Sequence, residues 1–215
     1  ARRVAQSFGF SQGMTYSFES PKVFDKLLLG EDSPLRQAIT IMNPLGEDFS
    51  IMRTSPLNGM LSSLATNYNR RNKDVRLYEL ANIYRPKTLP LTELPDERMQ
   101  FTLGMYGEGD FFTMKGVVEE FFDQVGMKEK IHYNPDGDYP FLHPGRKAEI
   151  IYHKKTVGYM GELHPDCGDA YKIGEKVYVA VLDMPSILPF VIFGRKYAGI
   201  AKHPAVTRDI SMVVP

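Results

Sequence analysis

Two segments of the sequence are apolar on both faces of an extended chain, and they constrain the fold more than any other feature. VRLYELANIY begins at Val75 and KVYVAVLDM at Lys176, and both are rich in residues that favour strands. A polar loop from Arg85 to Arg98 leads to a further strand, MQFTLGMYG, and KAEIIYH and VGYMGEL flank a short turn as in an antiparallel hairpin. Because strands with two apolar faces must be covered on both sides, we predict an α+β domain with helices flanking an antiparallel sheet.

Helical periodicity is clearest in SPLNGMLSSLATNYN. Thr54 or Ser55 is expected to cap this helix, with Pro56 at its first position. Its apolar side chains recur at helical spacing on one face: Leu57, Met60, Leu61, Leu64, Ala65 and Tyr68. A second helix is expected after Asp110, which would cap it, and Gly126 would end it.

Shorter elements are expected in the first fifty residues. ARRVAQSFG predicts a short helix that stops near Gly9, and a strand is expected around Met14 to Phe18. PKVFDKLLLG predicts a helix that follows Pro21 and ends at Gly30. ITIMNPLGEDFSIM is typical of a strand that breaks at Asn43 and the proline after it.

The last twenty residues differ in character from the rest. We predict a core domain over residues 1–195, followed by a linker and the first strand of a second, truncated domain over residues 196–215. The chain starts with Ala1 instead of methionine, and its last strand has barely begun. We therefore expect it to be a piece of a longer polypeptide.

Charge and composition argue against several functional classes. Lysine plus arginine and aspartate plus glutamate both number 26, whereas a dedicated nucleic-acid-binding protein usually carries a basic excess. Cys167 is the single cysteine, so no internal disulfide is expected, which fits the cytoplasm. No apolar run approaches the roughly 20 residues that cross a bilayer, and no signal peptide is recognisable. We expect a cytoplasmic protein with no membrane partner.

Common patterns of catalytic and metal-binding residues are missing from the sequence. Cys167 lies beside Asp166 and Asp169, which would raise its pKa, so an incidental cysteine is favoured over a nucleophile. The five histidines are scattered without the spacing of metal ligands, and we expect no metal site. No glycine-rich phosphate-binding loop follows a strand.

HPGR, which contains His143, Gly145 and Arg146, is the best candidate for an anion-binding turn. A glycine turn beside a guanidinium can hold a carboxylate or phosphate. The alternative, which we favour, is a structural turn whose Arg146 pairs with a neighbouring acid.

Five ordered blocks of the chain carry a resemblance to one family. MRTSPLNGMLSSLATNYNRRNKDVRLYELANIY begins at Met52, DFFTMKGVVEEFFDQVG follows it, and FLHPGRKAEIIYHKKTVGYMGELHP begins at Phe141. KVYVAVLDM and KHPAVTRDISMVV complete the series. Together they resemble the catalytic-core-like region of the β subunit of bacterial phenylalanyl-tRNA synthetase. The last block resembles the start of that family's ferredoxin-like anticodon-binding domain.

The resemblance implies a fold similar to a class II aminoacyl-tRNA synthetase core. It implies as partners the α subunit of an (αβ)2 heterotetramer and, through the full-length protein, tRNA(Phe). ATP and Mg2+ would serve the holoenzyme, with the chemistry on the α subunit. This chain is expected to hold no cofactor, to contain no catalytic residue and to be inactive alone.

Arginines of the class II motifs support that expectation. The resemblance places the helix after Arg53 at motif 1 and the hairpin from Val75 to Tyr106 at motif 2. A motif 2 arginine stands in the order aromatic–Arg–x–Glu, whereas Arg76 and Glu79 occur here as RLYE. The segment 176–188, where a motif 3 arginine would be sought, contains none.

The apolar stripe of the helix after Arg53 has two interpretations. Because the resemblance brings the motif 1-like helices of the two subunits together, five stripe residues are subunit-interface candidates: Leu57, Met60, Leu61, Leu64 and Tyr68. The same pattern is typical of a helix packed on its own domain's core, and this interpretation is favoured.

Two other functions remain open as alternatives. A vestigial adenylating enzyme, or a hydrolase using His143 and Arg146, would act on its own. An RNA-binding module would use the basic cluster of Arg70, Arg71 and Lys73, although cations at a helix C-terminus also suit the helix dipole.

Overall fold

A seven-stranded sheet in the order β1-β4-β5-β9-β8-β7-β6 forms the centre of the computed structural model. The structure describes residues 1–127, 129–192, 194, 199 and 206–213. The sheet strands are β1 Ser11–Gln12, β4 Val75–Arg85, β5 Asp96–Tyr106, β6 His132–Asn134, β7 Leu142–Tyr152, β8 Lys155–Leu163 and β9 Val177–Asp183. A separate antiparallel pair joins β2 Phe18–Glu19 to β3 Ile51–Met52.

Helices lie along both faces of the sheet. They are α1 Arg2–Ser7, α2 Val23–Lys26, α3 Leu57–Asn69, α4 Phe111–Gln124, α5 Pro165–Ala170 and α6 Met184–Ile187. The α+β class is therefore confirmed. The sheet is mixed, because β1 runs parallel to β4, whereas the remaining neighbours in the described sheet are antiparallel. Among the described helices, none combines the length and apolar character needed to span a bilayer.

Alternation along the strands divides the buried side chains into two clusters, one on each face. One cluster packs α1 and α4 against Tyr78, Phe101 and Leu182. The other packs α2, α3 and α5 against Tyr106 and Val179. The predicted strands with two apolar faces are thus covered on both sides.

Helix α3 presents the predicted stripe to the second cluster. Leu57, Leu61 and Leu64 are fully buried, and Met60 is 2% exposed. The helix fits closely because β5 has Gly104 beneath it: a Cβ there would lie 2.7 Å from Met60 Cγ.

The start of α3 differs slightly from the predicted cap. Pro56 precedes the first helical residue instead of occupying it. Ser55 Oγ accepts from the Leu57 N–H at 3.3 Å, whereas the Thr54 hydroxyl donates to the Leu35 carbonyl. Ser55 is thus the residue whose side chain meets the first turn.

Two predictions for the first fifty residues are wrong. No strand covers residues 14–17, because the Thr15 N–H and hydroxyl donate to the Glu79 carboxylate instead of to a neighbouring strand. Helix α2 ends at Lys26, since Leu28 adopts a left-handed conformation with φ 55° and the Arg36 guanidinium takes the Leu29 carbonyl. The short first helix that stops near Gly9 is confirmed, and Gly9 has φ 79°.

Several predicted boundaries agree closely with the structure. Asp110 caps α4 through a capping box with Thr113, and Gly126 follows it with φ 79°. The β7–β8 hairpin turns at His153 and Lys154, both left-handed, as a type I′ turn requires. Residues 206–213 contain no strand, and the proposed boundary near residue 195 lies largely outside the described residues.

Candidate functional site: a cavity on the α3 face of the sheet

A cavity of about 630 Å3 lies on the same face of the sheet as α3, beyond the N-terminal end of that helix. Its floor comes from β4, β5, β8 and β9, and its walls from residues 29–35, 54–56 and 138–141. A volume of this size suits a small-molecule ligand. It is therefore the first place to test for catalytic or binding chemistry.

Three side chains on the cavity floor form one ion-pair cluster. Gln100 and Asp183 are direct neighbours across β5 and β9. Arg98 donates to Asp183 through two nitrogens: Nε donates to Oδ1 at 3.0 Å, and Nη2 donates to Oδ2. Gln100 Nε2 donates to Asp183 Oδ1 at 2.6 Å, and the Ser186 N–H donates to Oδ2.

The cluster neutralises its own charges. Burial alone would raise the pKa of Asp183, but the hydrogen bonds from Arg98, Ser186 and Gln100 outweigh it and hold that pKa below its usual value. The bond to Asp183 raises the pKa of Arg98 in turn. This guanidinium is therefore committed to a protein carboxylate and is not available to a phosphate.

Arg85, at the end of β4, is a cavity residue that the sequence interpretation missed. Its side chain is exposed and makes no ion pair with any residue that the structure describes. The signal was available: Tyr84–Arg85 has the aromatic–arginine order of the motif 2 pattern, with Lys87 where that pattern has glutamate. Lys87 itself pairs with Glu93 at 2.7 Å on the surface.

The charged side chains of the cavity sum to a net negative charge. Two cations, Arg85 and Arg98, line the cavity together with three carboxylates: Asp32, Asp138 and Asp183. A triphosphate would meet more negative than positive charge there. Over the described parts of the chain, no group of three His, Cys, Asp or Glu residues could hold a metal ion. Residues 184–192, which follow β9, also supply no arginine.

Arg76 and Glu79, the pair compared above with motif 2, do not meet. They lie three positions apart on β4 and point to opposite faces. Arg76 donates to the carbonyls of Phe8 and Glu108. Glu79 is buried on the α3 face, where Arg53 lies 3.6 Å away in an ion pair with both side chains at most 5% exposed.

A second buried carboxylate, Glu19, lies at the N-terminal end of α3. Asn58 Nδ2 donates to its Oε2 at 3.1 Å, and the Tyr171 hydroxyl donates to Asn58 Oδ1 at 2.8 Å. Burial raises the pKa of Glu19 to about 7, against the opposing effects of Asn58 and Arg53. The group does not line the cavity.

The donors of the proposed anion-binding turn already have partners. The Gly145 N–H donates to His143 Nδ1 at 3.1 Å. Arg146 holds Glu162 with two nitrogens, at 2.7 Å for Nε–Oε2 and 2.9 Å for Nη2–Oε1. This is the geometry of the structural turn, with the neighbouring acid now identified as Glu162.

Most of the interface candidates on α3 lie in the domain's own core. Leu57, Met60, Leu61 and Leu64 are buried there, and Tyr68 is half-buried with its ring 5.8 Å from that of Tyr106. A partner could reach the four buried side chains only if the core opened. Their role in a subunit contact stays a prediction, and the structure places them where the alternative interpretation expects them.

The basic cluster lies at the opposite end of α3 from the cavity. Arg70, Arg71 and Lys73 are all exposed, and Arg71 adopts a left-handed conformation with φ 64°.

Cys167 is buried in the second core cluster, and burial raises its pKa to about 12. A thiol with that pKa is unsuited to act as a nucleophile.

Comparison with known proteins shows which family the sequence matches. The model of the family described as "Phenylalanyl tRNA synthetase beta chain CLM domain" matches residues 1–184. A phenylalanine–tRNA ligase β subunit from Clostridium acetobutylicum is 45% identical over 97% of this chain and 26% of its own length. One from Clostridium tetani is 40% identical over 96% of this chain and 26% of its own length. The chain thus spans about a quarter of these curated relatives.

Among solved structures, the crystal structure of pyrrolysyl-tRNA synthetase from Desulfitobacterium hafniense is similar in fold. The TM-score is 0.69, with 14% sequence identity, and the match covers 87% of this chain and 65% of the other. At this identity the similarity concerns the fold alone.

Proposed function

The chain belongs to the phenylalanyl-tRNA synthetase β-chain family, and we propose on this premise that it is a non-catalytic core module of phenylalanine–tRNA ligase. The module has a class II synthetase-like fold and supports (αβ)2 assembly in the cytoplasm. The α subunit carries out the ATP-dependent charging of tRNA(Phe).

One observation carries the non-catalytic part of this proposal. A guanidinium of the cavity floor, Arg98, is bound by Asp183 through its Nε and Nη2. Adenylation needs preorganised cations aimed at the phosphates and at the oxygen on which charge develops. A guanidinium already bound to a carboxylate supplies neither, and Arg85 alone cannot balance a triphosphate with Asp32 and Asp138 on the walls.

Assembly is the function that remains for a folded core without this chemistry. Family membership supports the α subunit as partner, because the relatives are named β subunits. With the α3 stripe buried, a contact surface must come from exposed residues. Exposed apolar residues available for such a contact include Met14, Tyr16, Met42 and Leu45.

The test combines assembly and activity. Size-exclusion chromatography with light scattering would compare this chain, the α subunit of the same organism and their mixture. We expect a complex at micromolar concentration, weakened by Met42→Asp but not by Ser62→Asp, which changes an exposed position on α3. If the mixture elutes as two separate proteins, the assembly role of this module is wrong.

The catalytic arm uses the full-length β subunit in the reconstituted tetramer. Arg85→Gln changes the one cavity guanidinium that forms no ion pair within the described chain. We expect the kcat of aminoacylation to stay within about twofold of wild type, since a group that binds the reacting phosphate typically contributes about 100-fold or more. A loss on that scale with an intact tetramer would assign chemistry to this cavity.

A further inference from the structure

The cavity on the α3 face remains unused by the assembly role. Arg98 is not available to a ligand there, because it forms an ion pair with Asp183. The groups that could still contact a ligand are one cation, two carboxylates and a set of apolar and aromatic side chains. These three features together define the chemistry of a ligand.

The cation is Arg85, exposed at the end of β4 and free of ion pairs within the described chain. Two hydroxyls, Tyr159 and Ser55, line the same cavity. Burial raises the pKa of Tyr159, whereas its hydrogen bond with Ser55 and the charge of Arg85 lower it, so the Ser55 hydroxyl is already paired with Tyr159. A guanidinium in the same cavity as a tyrosine hydroxyl favours a carboxylate on the ligand.

Two carboxylates, Asp32 and Asp138, come from different loops of the cavity wall. Both are exposed, and neither forms an ion pair with a residue that the structure describes. With the Arg98–Asp183 pair neutral, the open charges sum to one positive and two negative. A ligand with a carboxylate alone would pair with Arg85 and bring the total to two negative charges, whereas an added ammonium group pairs with the aspartates and leaves a single negative charge.

The body of the ligand is defined by the remaining surface. The rings of Tyr139 and Tyr159 lie 4.6 Å apart at 31°, and Phe141 packs 5.5 Å from Tyr159. Leu35 and Ile83 add aliphatic surface to the walls. Such walls favour a flat or branched apolar group, which gains from ring contacts as well as from burial.

We propose that this cavity binds a small zwitterion with an aromatic or branched apolar body. Its carboxylate lies against Arg85 and its ammonium group faces Asp138 and Asp32. The site is an accessory ligand site on this chain and does not depend on the assembly role, since binding is measured on the chain alone. Failure to assemble with an α subunit would leave the binding result intact, and the reverse also holds.

Three probes with the same phenylethyl body separate the two charges. L-Phenylalanine carries both, 3-phenylpropionate lacks the ammonium group, and 2-phenylethylamine lacks the carboxylate. Binding to the 15N-labelled chain would be followed by two-dimensional NMR. Because a charge-assisted hydrogen bond is worth 1.5–3 kcal/mol, we expect the zwitterion to bind about tenfold or more tightly than either other probe.

Variants assign each charge to its residue. Arg85→Gln is expected to abolish the preference for phenylalanine over phenylethylamine and to leave phenylethylamine binding unchanged. Asp138→Asn is expected to reduce the preference over phenylpropionate. Arg70→Gln is the matched control, because it removes an exposed cation at the other end of α3, roughly 20 Å away. Three results would overturn the proposal: equal affinity for the three probes, no binding of any probe, or a preference for phenylalanine over phenylethylamine that survives Arg85→Gln.

Discussion

Glu19 is expected to make the stability of the fold depend on pH near neutrality. Its side chain is 5% exposed, and burial raises its pKa from 4.5 to about 7. Below pH 4.5 the carboxyl is protonated in both the folded and the unfolded chain, so its contribution to stability is fully present. Between pH 4.5 and 7 the unfolded chain releases this proton and the folded chain keeps it, so stability falls as pH rises. Above pH 7 both states are ionised and the loss is complete.

The magnitude follows from the difference between the two pKa values, about 7 in the folded chain and 4.5 as the ordinary value. At 1.36 kcal/mol for each pKa unit, ionisation of the carboxyl lowers the unfolding free energy by about 3 kcal/mol between pH 4.5 and 8. Glu19→Gln keeps the shape and an oxygen that accepts from Asn58, but it cannot ionise. The variant should therefore gain on the wild type by this amount as pH rises.

Urea unfolding at pH 4.5, 6 and 8 would measure the difference, followed by far-ultraviolet circular dichroism because the chain has no tryptophan. Glu47→Gln, at an exposed position, controls for the loss of one surface carboxylate. Subtracting the unfolding free energy of the variant from that of the wild type at each pH removes the contribution of other titrating groups. If the difference in unfolding free energy between Glu19→Gln and the wild type stays constant from pH 4.5 to 8, the carboxyl does not bind its proton as the buried geometry requires.

Other consequences of burial can be measured separately. Leu64→Ala should lower the unfolding free energy by about 2–5 kcal/mol and Ser62→Ala by less than about 0.5, and equal effects in urea would contradict the assignment of the α3 stripe to the core. Arg53→Met should cost about 3–5 kcal/mol because it leaves Glu79 buried without its cation, and adding Glu79→Leu should recover most of that loss in a double-mutant cycle. Cys167 should resist iodoacetamide in the folded chain at pH 8 and react fully in urea, as read by mass spectrometry; labelling of the folded chain at the unfolded rate would refute its burial.

Local signals in the sequence were sufficient for most of the elements. Helix α4 begins directly after Asp110 because its cap and capping box lie within four residues, and the left-handed conformation of Gly126 just after the helix depends on that residue alone. The segment at residues 14–17 was predicted wrongly because its conformation depends on Glu79, 64 positions away from Thr15. Pattern reasoning identifies residues that suit a strand, but it does not reveal which distant side chain will take their hydrogen bonds.

The candidate site shows the same limit with larger consequences. Arg98 and Asp183 are 85 positions apart, and they meet because β5 and β9 pair in the register that sets Gln100 beside Asp183. A register shifted by one residue would turn Arg98 to the other face and leave Asp183 without its partner. Sequence alone can note that an arginine is absent from a motif. It cannot show that an arginine present elsewhere on the same floor is neutralised, and the cavity's charge depends on that neutralisation.

The buried stripe of α3 changes where a subunit contact should be sought. A helix that packs its leucines on Gly104 and Tyr106 has no second apolar face, since Ser62 and Thr66 are exposed and polar. Assembly through α3 would therefore be polar and weak, because exposed polar contacts contribute little net free energy. Exposed apolar residues lie instead outside α3, among them those in the segments around Met14 and Met42, which flank the β2–β3 pair. Burial of exposed apolar surface offers more free energy than polar contacts on α3, so we expect the contact with another subunit to use residues of this kind.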